Sequence, residues 1–356
     1  MPVSHPRTVR ALQANTMSWT ISGAVMALGY GTDESWPMTS VVVLGAGALG
    51  SVYGAWFAEA GAEVTLVARP AHAEAINQGG LRIDDRPPVE VQAVSDPVDA
   101  GDCDILLLAS KAFDNADLLG GYRGSTQAAF SVQNGVRQAE PLVARFGPAA
   151  VGCVSLVGGT LGDPGHATHS FDGPTLLGDL PTTEPGTAAT IAQALPRRKL
   201  EIHDDIAPAL WSKGVLAAAA MGVVGLTRLV YHRIFLMPET RDVFYDLACD
   251  GAAVAAAEGV ELIDGHGPFQ VRALTQESRE HAHQRLRAVG EGMEAAGETE
   301  VRVSILQSID RGRPFEVQAV FGDLVETAEG HGLEVPTLRA VTRLLAAAMP
   351  GESASS

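Results

Sequence analysis

Residues 41–50 read VVVLGAGALG, an apolar run that leads directly into a glycine-rich turn. Residues 51–60 have helical character, and a second apolar run at 64–68 ends at Arg69, so the local order is strand, turn, helix, strand. In such a unit Gly45 permits the tight turn, Gly47 lets a bound group approach the backbone, and Gly50 lets the helix pack closely on the strand. A chain containing it is predicted to fold as a doubly wound α/β domain with a mainly parallel sheet.

The same turn predicts a site for a dinucleotide pyrophosphate, because the first N–H groups of the helix attract anions. The cofactor-binding residues predicted here are Gly45, Ala46, Gly47, Ala48, Leu49 and Gly50. An NAD site usually ends its second strand with Asp or Glu, whereas this strand ends with Arg69, which could pair with a 2′-phosphate. The sequence therefore favours NADPH over NADH. The alternative is that Arg69 is a solvated arginine at a strand end.

Composition limits the partners of the chain. With a net charge of −17 and a pI of about 4.9, a nucleic-acid or anionic membrane surface is disfavoured, and we expect no apolar run long enough to span a bilayer. Cys103, Cys153 and Cys249 lie far apart in no metal-ligand spacing. They are predicted to be reduced, mostly buried thiols of a cytoplasmic protein without a metal site.

The pattern along the chain predicts two domains. Apolar runs that continue the sheet occupy 104–109, 128–132, 149–157 and 175–177, with glycine-rich turns within 158–165 and a loop carrying His166 and His169. Helical patterns follow from Asp205 through Met221 and at 241–258, 269–290 and 333–348. We therefore predict a Rossmann domain over 38–203 and an all-α domain over 204–349. Residues 1–37 are predicted to be a disordered extension or a misassigned start, and 350–356 a disordered tail; Ala-rich helical domains often dimerise, which leaves a homodimer open.

The chain has three lysines, Lys111, Lys199 and Lys213, among 25 basic residues. A lysine retained where arginine serves elsewhere can do what arginine cannot, since a desolvated lysine can release a proton in the working pH range. Lys213 lies near the start of the first helix of the second domain, where it could face a cleft. It is predicted to donate a proton to a carbonyl oxygen; the alternative is a surface lysine.

Several motifs occur in an order that resembles the ketopantoate reductase (2-dehydropantoate 2-reductase) family over residues 39–346. These are GAGALG at 45–50, VTLVAR at 64–69, SKAFD at 110–114, QNG at 133–135, DGPTLLG at 172–178 and LWSKG at 210–214. Near the end, Ser304 begins SILQ, and Glu316 follows twelve residues later, as in the family's Ser–Gln and Arg-x-x-Glu region. The resemblance implies an NADPH-dependent reductase that converts a 2-oxo acid to a 2-hydroxy acid.

The resemblance also implies roles for particular residues. Lys213 would be the general acid, with Glu316 as a hydrogen-bonding partner near it. Ser304 would bind the substrate carboxylate, and Asn134 would lie near both the nicotinamide and that carboxylate. Lys111 would lie by the cofactor's 2′-phosphate or ribose, together with Arg69. Taken alone, Asn134 would be a turn residue, Ser304 a helix cap and Glu316 a solvated carboxylate.

One departure from the family concerns the substrate. The family pattern Lys-x-x-x-Asn-x-x-x-Asn along one helix face is here Lys213, Ala217 and Met221, so both asparagines are missing. Each lost hydrogen bond could weaken recognition by roughly 0.5–1.5 kcal/mol, and the methionine makes this substrate-binding wall more apolar and adaptable. Either neighbouring residues replace the contacts and ketopantoate remains the substrate, or the substrate is a bulkier or less polar 2-oxo acid or ketone. A third reading, a protein that senses NADPH without turnover, requires neither Lys213 nor Glu316.

Overall fold

The computed structural model describes residues 38–196, 198–265 and 269–349; the predictions for 1–37 and 350–356 lie outside these ranges. The strands of the described part are β1 Ser40–Leu44, β2 Glu63–Val67, β3 Arg82–Ile83, β4 Gln92–Val94, β5 Cys103–Leu108, β6 Thr126–Ser131, β7 Ala150–Ser155, β8 Gly158–Leu161, β9 His166–Phe171, β10 Thr175–Asp179 and β11 Leu200–Ile202. The helices of the first half are α1 Ala48–Glu59, α2 Pro70–Gly79, α3 Asn115–Gly121, α4 Glu140–Phe146 and α5 Thr187–Gln193. Those of the second half are α6 Ala207–Thr227, α7 Arg233–Leu236, α8 Pro238–Ala257, α9 Val271–Gln276, α10 Arg279–Ala295, α11 Ser304–Asp310, α12 Asp323–Gly330 and α13 Pro336–Ala348.

Eight strands form one sheet in the order β11-β10-β7-β6-β5-β1-β2-β4. Neighbouring strands run parallel except β7 and β10, which are antiparallel. The interior strand β1 is buried on both faces, as its continuous valine and leucine run predicts. A mainly parallel sheet with helices, followed by a helical half, confirms the predicted fold class.

The segment 158–171 differs from the prediction. Instead of glycine-rich turns and a loop, β8 and β9 form a hairpin that pairs with β3 in a second sheet, and His166 and His169 lie in β9. A Cβ on Gly158 would lie 2.9 Å from the Cβ of Phe171 in β9. Glycine here permits the close approach of two strands and does not mark a chain reversal.

The second half is built around α6, which packs along α8 and α13. Side chains crowd its glycines: a Cβ on Gly222 would lie 2.8 Å from Leu247. Contrary to the expectation from sequence, α6 is long and apolar enough to cross a bilayer by length and composition. Most of its apolar segment is buried inside the protein, as in the core helix of a globular domain.

The helix predicted over 269–290 is two helices, α9 and α10. The chain breaks at Glu277 and Ser278, and the Ser278 side chain accepts a hydrogen bond from the N–H of His281. Serine at this position satisfies one of the free N–H groups of a new helix, which favours an interruption that hydrophobic periodicity does not reveal. The cysteines agree with the prediction, because all three are free thiols and Cys103 and Cys153 are buried.

Candidate active site

The glycine-rich turn leaves the sheet after β1 and enters α1 at Ala48. Gly45 has a φ of +98°, and a Cβ there would lie 2.6 Å from the backbone nitrogen of Ser110. A Cβ on Gly50 would lie 2.1 Å from the carbonyl oxygen of Gly45. The protein's own packing therefore requires both glycines. Gly45 is required by the turn, as predicted, whereas Gly50 is required mainly because the turn's own backbone lies against it.

Gly47 is different, because nothing in the described protein requires it to be glycine. Its φ of −76° suits any residue, and a Cβ would have no heavy atom nearer than the Ala109 carbonyl oxygen at 3.9 Å. The next three residues, Ala48, Leu49 and Gly50, begin α1, where N–H groups have no acceptor within the helix. Open space bounded by backbone and by these donors fits a dinucleotide pyrophosphate.

Arg69 lies beside this turn, since β1 and β2 are parallel and pair Leu44 with Val67. Both strands end at the same edge, and Arg69 follows two residues after Val67 as the exposed N-cap residue of α2. Its charge acts on Asp114, whose pKa is raised mainly by burial and is lowered in part by Arg69. Arg69 is therefore placed where it could reach a group bound at the turn.

Lys111 and Glu316 form an ion pair that joins the two halves of the protein. The Lys111 ammonium donates to Glu316 Oε2 at 2.7 Å, and the backbone N–H of Ala112 donates to Oε1 at 3.0 Å. The Glu316 side chain is 3% exposed, whereas that of Lys111 is 36% exposed. Lys111, expected beside Arg69 at the cofactor, thus makes its direct contact with Glu316.

Lys213 lies in the first half of α6 and is only partly accessible. Desolvation lowers the pKa of Lys213 below the ordinary lysine value, and the nearby Cys153 and Glu316 oppose this shift. Burial raises the pKa of the Cys153 thiol to about 12, so Cys153 is neutral near pH 7 and Glu316 provides the counter-charge. Among the described residues, the Lys213 ammonium has no hydrogen-bond or ion-pair partner, so its donors remain available.

The three residues predicted to form the substrate wall lie along one face of α6. Lys213, Ala217 and Met221 are spaced four residues apart, and Met221 is buried while Ala217 is partly exposed. Ser304, the first residue of α11, donates its hydroxyl to the Met221 sulfur at 4.0 Å. The structure thus brings Ser304 to this wall, with a thioether as its neighbour.

The loop after β6 carries Asn134 and is held against the helical half from two sides. Gly135 has a φ of +109°, and a Cβ there would lie 2.4 Å from the carbonyl oxygen of Ala319. The next residue, Val136, lies so close to α6 that a Cβ on Gly214 would be 2.4 Å from its Cγ1. The half-buried Asn134 is thereby fixed at the junction of the two halves. It lies two residues before Val136, which packs against Gly214, the neighbour of Lys213 in α6.

Two features of the site escaped prediction. Gln133 is buried and donates to Ser110 and Asn115, so the QNG and SKAFD motifs are joined by a hydrogen-bond network. Gln318–Gly322 is a π-helical turn that begins two residues after Glu316, a distortion that is frequent at functional sites. The two motifs were visible in the sequence, but the hydrogen bonds between them were not. No sequence pattern indicated the π-helical turn.

Comparison with known proteins identifies the class. Family models described as "Ketopantoate reductase PanE/ApbA" and its C-terminal counterpart match residues 41–182 and 205–349. The 2-dehydropantoate 2-reductases of Archaeoglobus fulgidus and Halobacterium salinarum are each 28% identical to this chain, over 86% of it and 96% and 97% of their own lengths. The fold and this match define an oxidoreductase that uses a nicotinamide cofactor. The chain belongs to the ketopantoate reductase family.

Solved structures agree on the fold. A PanE/ApbA family ketopantoate reductase from Ralstonia eutropha superposes with a TM-score of 0.71 at 28% identity, covering 86% of this chain and 97% of its own. A D-mandelate dehydrogenase solved with NADH and anilino(oxo)acetate superposes with a TM-score of 0.73 at 17% identity, with the same coverage. At that identity the second likeness concerns the fold alone.

Proposed function

We propose that this protein is an NADPH-dependent 2-dehydropantoate 2-reductase that reduces ketopantoate to pantoate in the cytoplasm. The observation that carries the proposal is the environment of the Lys213 ammonium group. A desolvated ammonium with no direct partner among the described residues lies on the same helix face as Ala217 and Met221, and a family match covers both halves of the chain. Such a group suits proton donation better than a structural role, in which its donors would be bonded.

In the proposed mechanism, a nicotinamide dinucleotide held at the glycine-rich turn would supply the hydride needed to reduce the carbonyl carbon of the 2-oxo acid. Lys213 donates its proton to the carbonyl oxygen, and its positive charge stabilises the oxyanion that develops there. Ser304 and Asn134 orient the substrate carboxylate, and this alignment supplies part of the rate enhancement. The backbone N–H groups of residues 48–50 would hold its pyrophosphate.

The substrate-binding wall of α6 favours a second candidate for the substrate. Met221 fills the position of a family asparagine and takes up the Ser304 hydroxyl as a weak sulfur contact. Thioethers are poor acceptors but adapt to irregular apolar shapes. We therefore keep, as the second candidate, reduction of a bulkier or less polar 2-oxo acid or ketone by the same machinery.

The deciding experiment is NADPH consumption by the purified protein with ketopantoate and with larger, more apolar 2-oxo acids. If ketopantoate has the highest kcat/KM, Ala217 and Met221 are tolerated replacements and the first candidate stands. If a larger acid is turned over while ketopantoate is inert, the second candidate replaces it. If NADPH binds and no acid is reduced, the protein is a sensor and both candidates fail.

Cofactor choice gives a separate prediction for Arg69. Arg69→Ala should raise the Kd of NADPH by roughly 10- to 150-fold, since a hydrogen-bonded charge pair contributes about 1.5–3 kcal/mol. The Kd of NADH should change little, because NADH lacks the 2′-phosphate. The control is Arg123→Ala. Arg123 is an exposed arginine just before β6, at the amino ends of the parallel strands, whereas Arg69 lies at their carboxyl ends. Equal losses for the two cofactors in fluorescence titrations would contradict the assignment.

A further inference from the structure

The Lys111–Glu316 pair has a geometry that a cofactor-binding lysine does not need. Both carboxylate oxygens of Glu316 are bonded to consecutive residues, one to the Lys111 ammonium and one to the Ala112 N–H. The partners lie 205 residues apart, and the carboxylate is almost completely buried. A buried carboxylate needs such compensation, because an unpaired one is costly to desolvate.

The position of Glu316 relative to Lys213 indicates how the Lys111–Glu316 pair affects the proton donor. Glu316 is close enough to act on the charge of Lys213, yet it makes no direct ion pair with that lysine in the described structure. A free carboxylate in a cleft would pair with a nearby ammonium. Because the bonds from Lys111 and Ala112 fix the orientation of this carboxylate, it is not turned towards Lys213, and the donors of Lys213 remain free for a substrate carbonyl.

We propose that Lys111 is a positioning residue, which holds Glu316 away from direct pairing with Lys213 and so keeps the proton donor available to the substrate. The inference rests on the proposed function, since it concerns the availability of the same proton donor. It gives Lys111 a role other than contact with the 2′-phosphate or ribose, which the family resemblance implies.

Other charged groups around the pair do not provide this restraint. Arg69 and Asp114 act electrostatically in the same region, but neither bonds to Glu316 among the described contacts, and Cys153 is a neutral thiol near Lys213. The connection between the halves also does not depend on Lys111 alone. Arg311 donates to the carbonyl of Leu161 at 3.0 Å, and Arg137 donates to Thr327 at 2.8 Å. Variants at Lys111 should therefore fold.

The test uses Lys111→Met, Lys111→Arg, Glu316→Gln and the double variant Lys111→Met/Glu316→Gln. Lys111→Met should lower kcat by roughly 10- to 100-fold, since misplacing a catalytic group by about 1 Å has costs of this size. Lys111→Arg should restore most of the rate, because arginine can bond the same carboxylate. In the Glu316→Gln background, Lys111→Met should have little further effect, as expected for residues that act through one another.

A second readout does not require turnover. Acetylation of Lys213, followed by mass spectrometry, reports how much of its amine is neutral, and Lys199, which is largely exposed, serves as the internal reference. Lys111→Met should slow the labelling of Lys213, because Glu316 then pairs with it and favours the charged form. Glu316→Gln should speed it, and the double variant should behave like Glu316→Gln.

The competing assignment makes opposite predictions. If Lys111 binds the 2′-phosphate, Lys111→Met should raise the Kd of NADPH more than tenfold, leave that of NADH unchanged and leave Lys213 labelling at the wild-type rate. That result would overturn the proposal. Should the wild type reduce no 2-oxo acid, the proposed function fails, while the labelling rates and the ratio of the two Kd values still decide the role of Lys111.

Discussion

Replacing Lys213 with methionine is expected to lower kcat by roughly 10²- to 10⁴-fold, the usual contribution of a general acid. The substitution removes the ammonium but keeps an unbranched side chain of similar length on the buried face of α6. Because the glycine-rich turn is untouched, NADPH should bind with nearly wild-type Kd. Steady-state kinetics and a fluorescence titration on the same preparation separate these two effects.

Lys199→Met is the matched control, since Lys199 is exposed and pairs with Asp172 at 2.9 Å, away from α6. It should leave kcat and the Kd of NADPH unchanged. A Lys213→Met protein that keeps its kcat but loses cofactor affinity would show that Lys213 binds the cofactor and does not deliver the proton.

The same assignment fixes the sign of the pH dependence. Donation requires protonated Lys213, so kcat should fall as pH rises through the pKa of that lysine. Burial lowers this pKa, and the fall should therefore begin at a lower pH than for an ordinary lysine. The Glu316 charge opposes the shift, so Glu316→Gln should move the alkaline limb lower still. If kcat of Glu316→Gln instead falls at a higher pH than that of the wild type, this electrostatic account is wrong.

The parts of the site that sequence could predict are those set by local chain geometry. Gly45 and Gly50 are needed within one turn, and Lys213, Ala217 and Met221 share a helix face through a fixed period of rotation. These relations involve residues a few positions apart. The resemblance to a family then added residues from distant segments.

The contacts that sequence could not predict depend on how distant segments meet. The direct partner of Glu316 is Lys111 because the loop after β5 meets the segment before the π-helical turn, and no local pattern encodes that meeting. Similarly, Gly158 resembled a turn residue because its reason for being glycine, the close approach of Phe171, lies on another strand. Tertiary packing decided both cases.

The second large effect is expected from alanine substitutions in the glycine-rich turn. Gly47→Ala should weaken cofactor binding, whereas Gly50→Ala should destabilise the fold. In Gly47→Ala the new Cβ meets no atom of the protein nearer than 3.9 Å, so folding should lose little beyond the cost of alanine at a helix N-cap, about 1 kcal/mol. A pyrophosphate against the same backbone would meet the methyl group. Overpacking of about 1–3 kcal/mol corresponds to a rise in the Kd of NADPH of roughly 5- to 150-fold.

Gly50→Ala should instead lower the stability of the protein. Its Cβ would lie 2.1 Å from a backbone carbonyl that cannot move without opening the turn, so the free energy of unfolding should fall by at least about 1–3 kcal/mol in the absence of cofactor. Urea unfolding measures this loss. Gly79→Ala, at an unobstructed position of ordinary φ in α2, controls for the substitution itself and should alter neither quantity by much.

The comparison of the two variants tests the dinucleotide site without any assumption about the substrate. If Gly47→Ala binds NADPH as the wild type does, no pyrophosphate lies against Gly47, and the helix N-terminus at Ala48 is not the cofactor site. If Gly47→Ala loses affinity while keeping its unfolding midpoint, a ligand must occupy the space left by the missing Cβ. Only that second result agrees with a protein that holds a nicotinamide dinucleotide at the carboxyl end of β1.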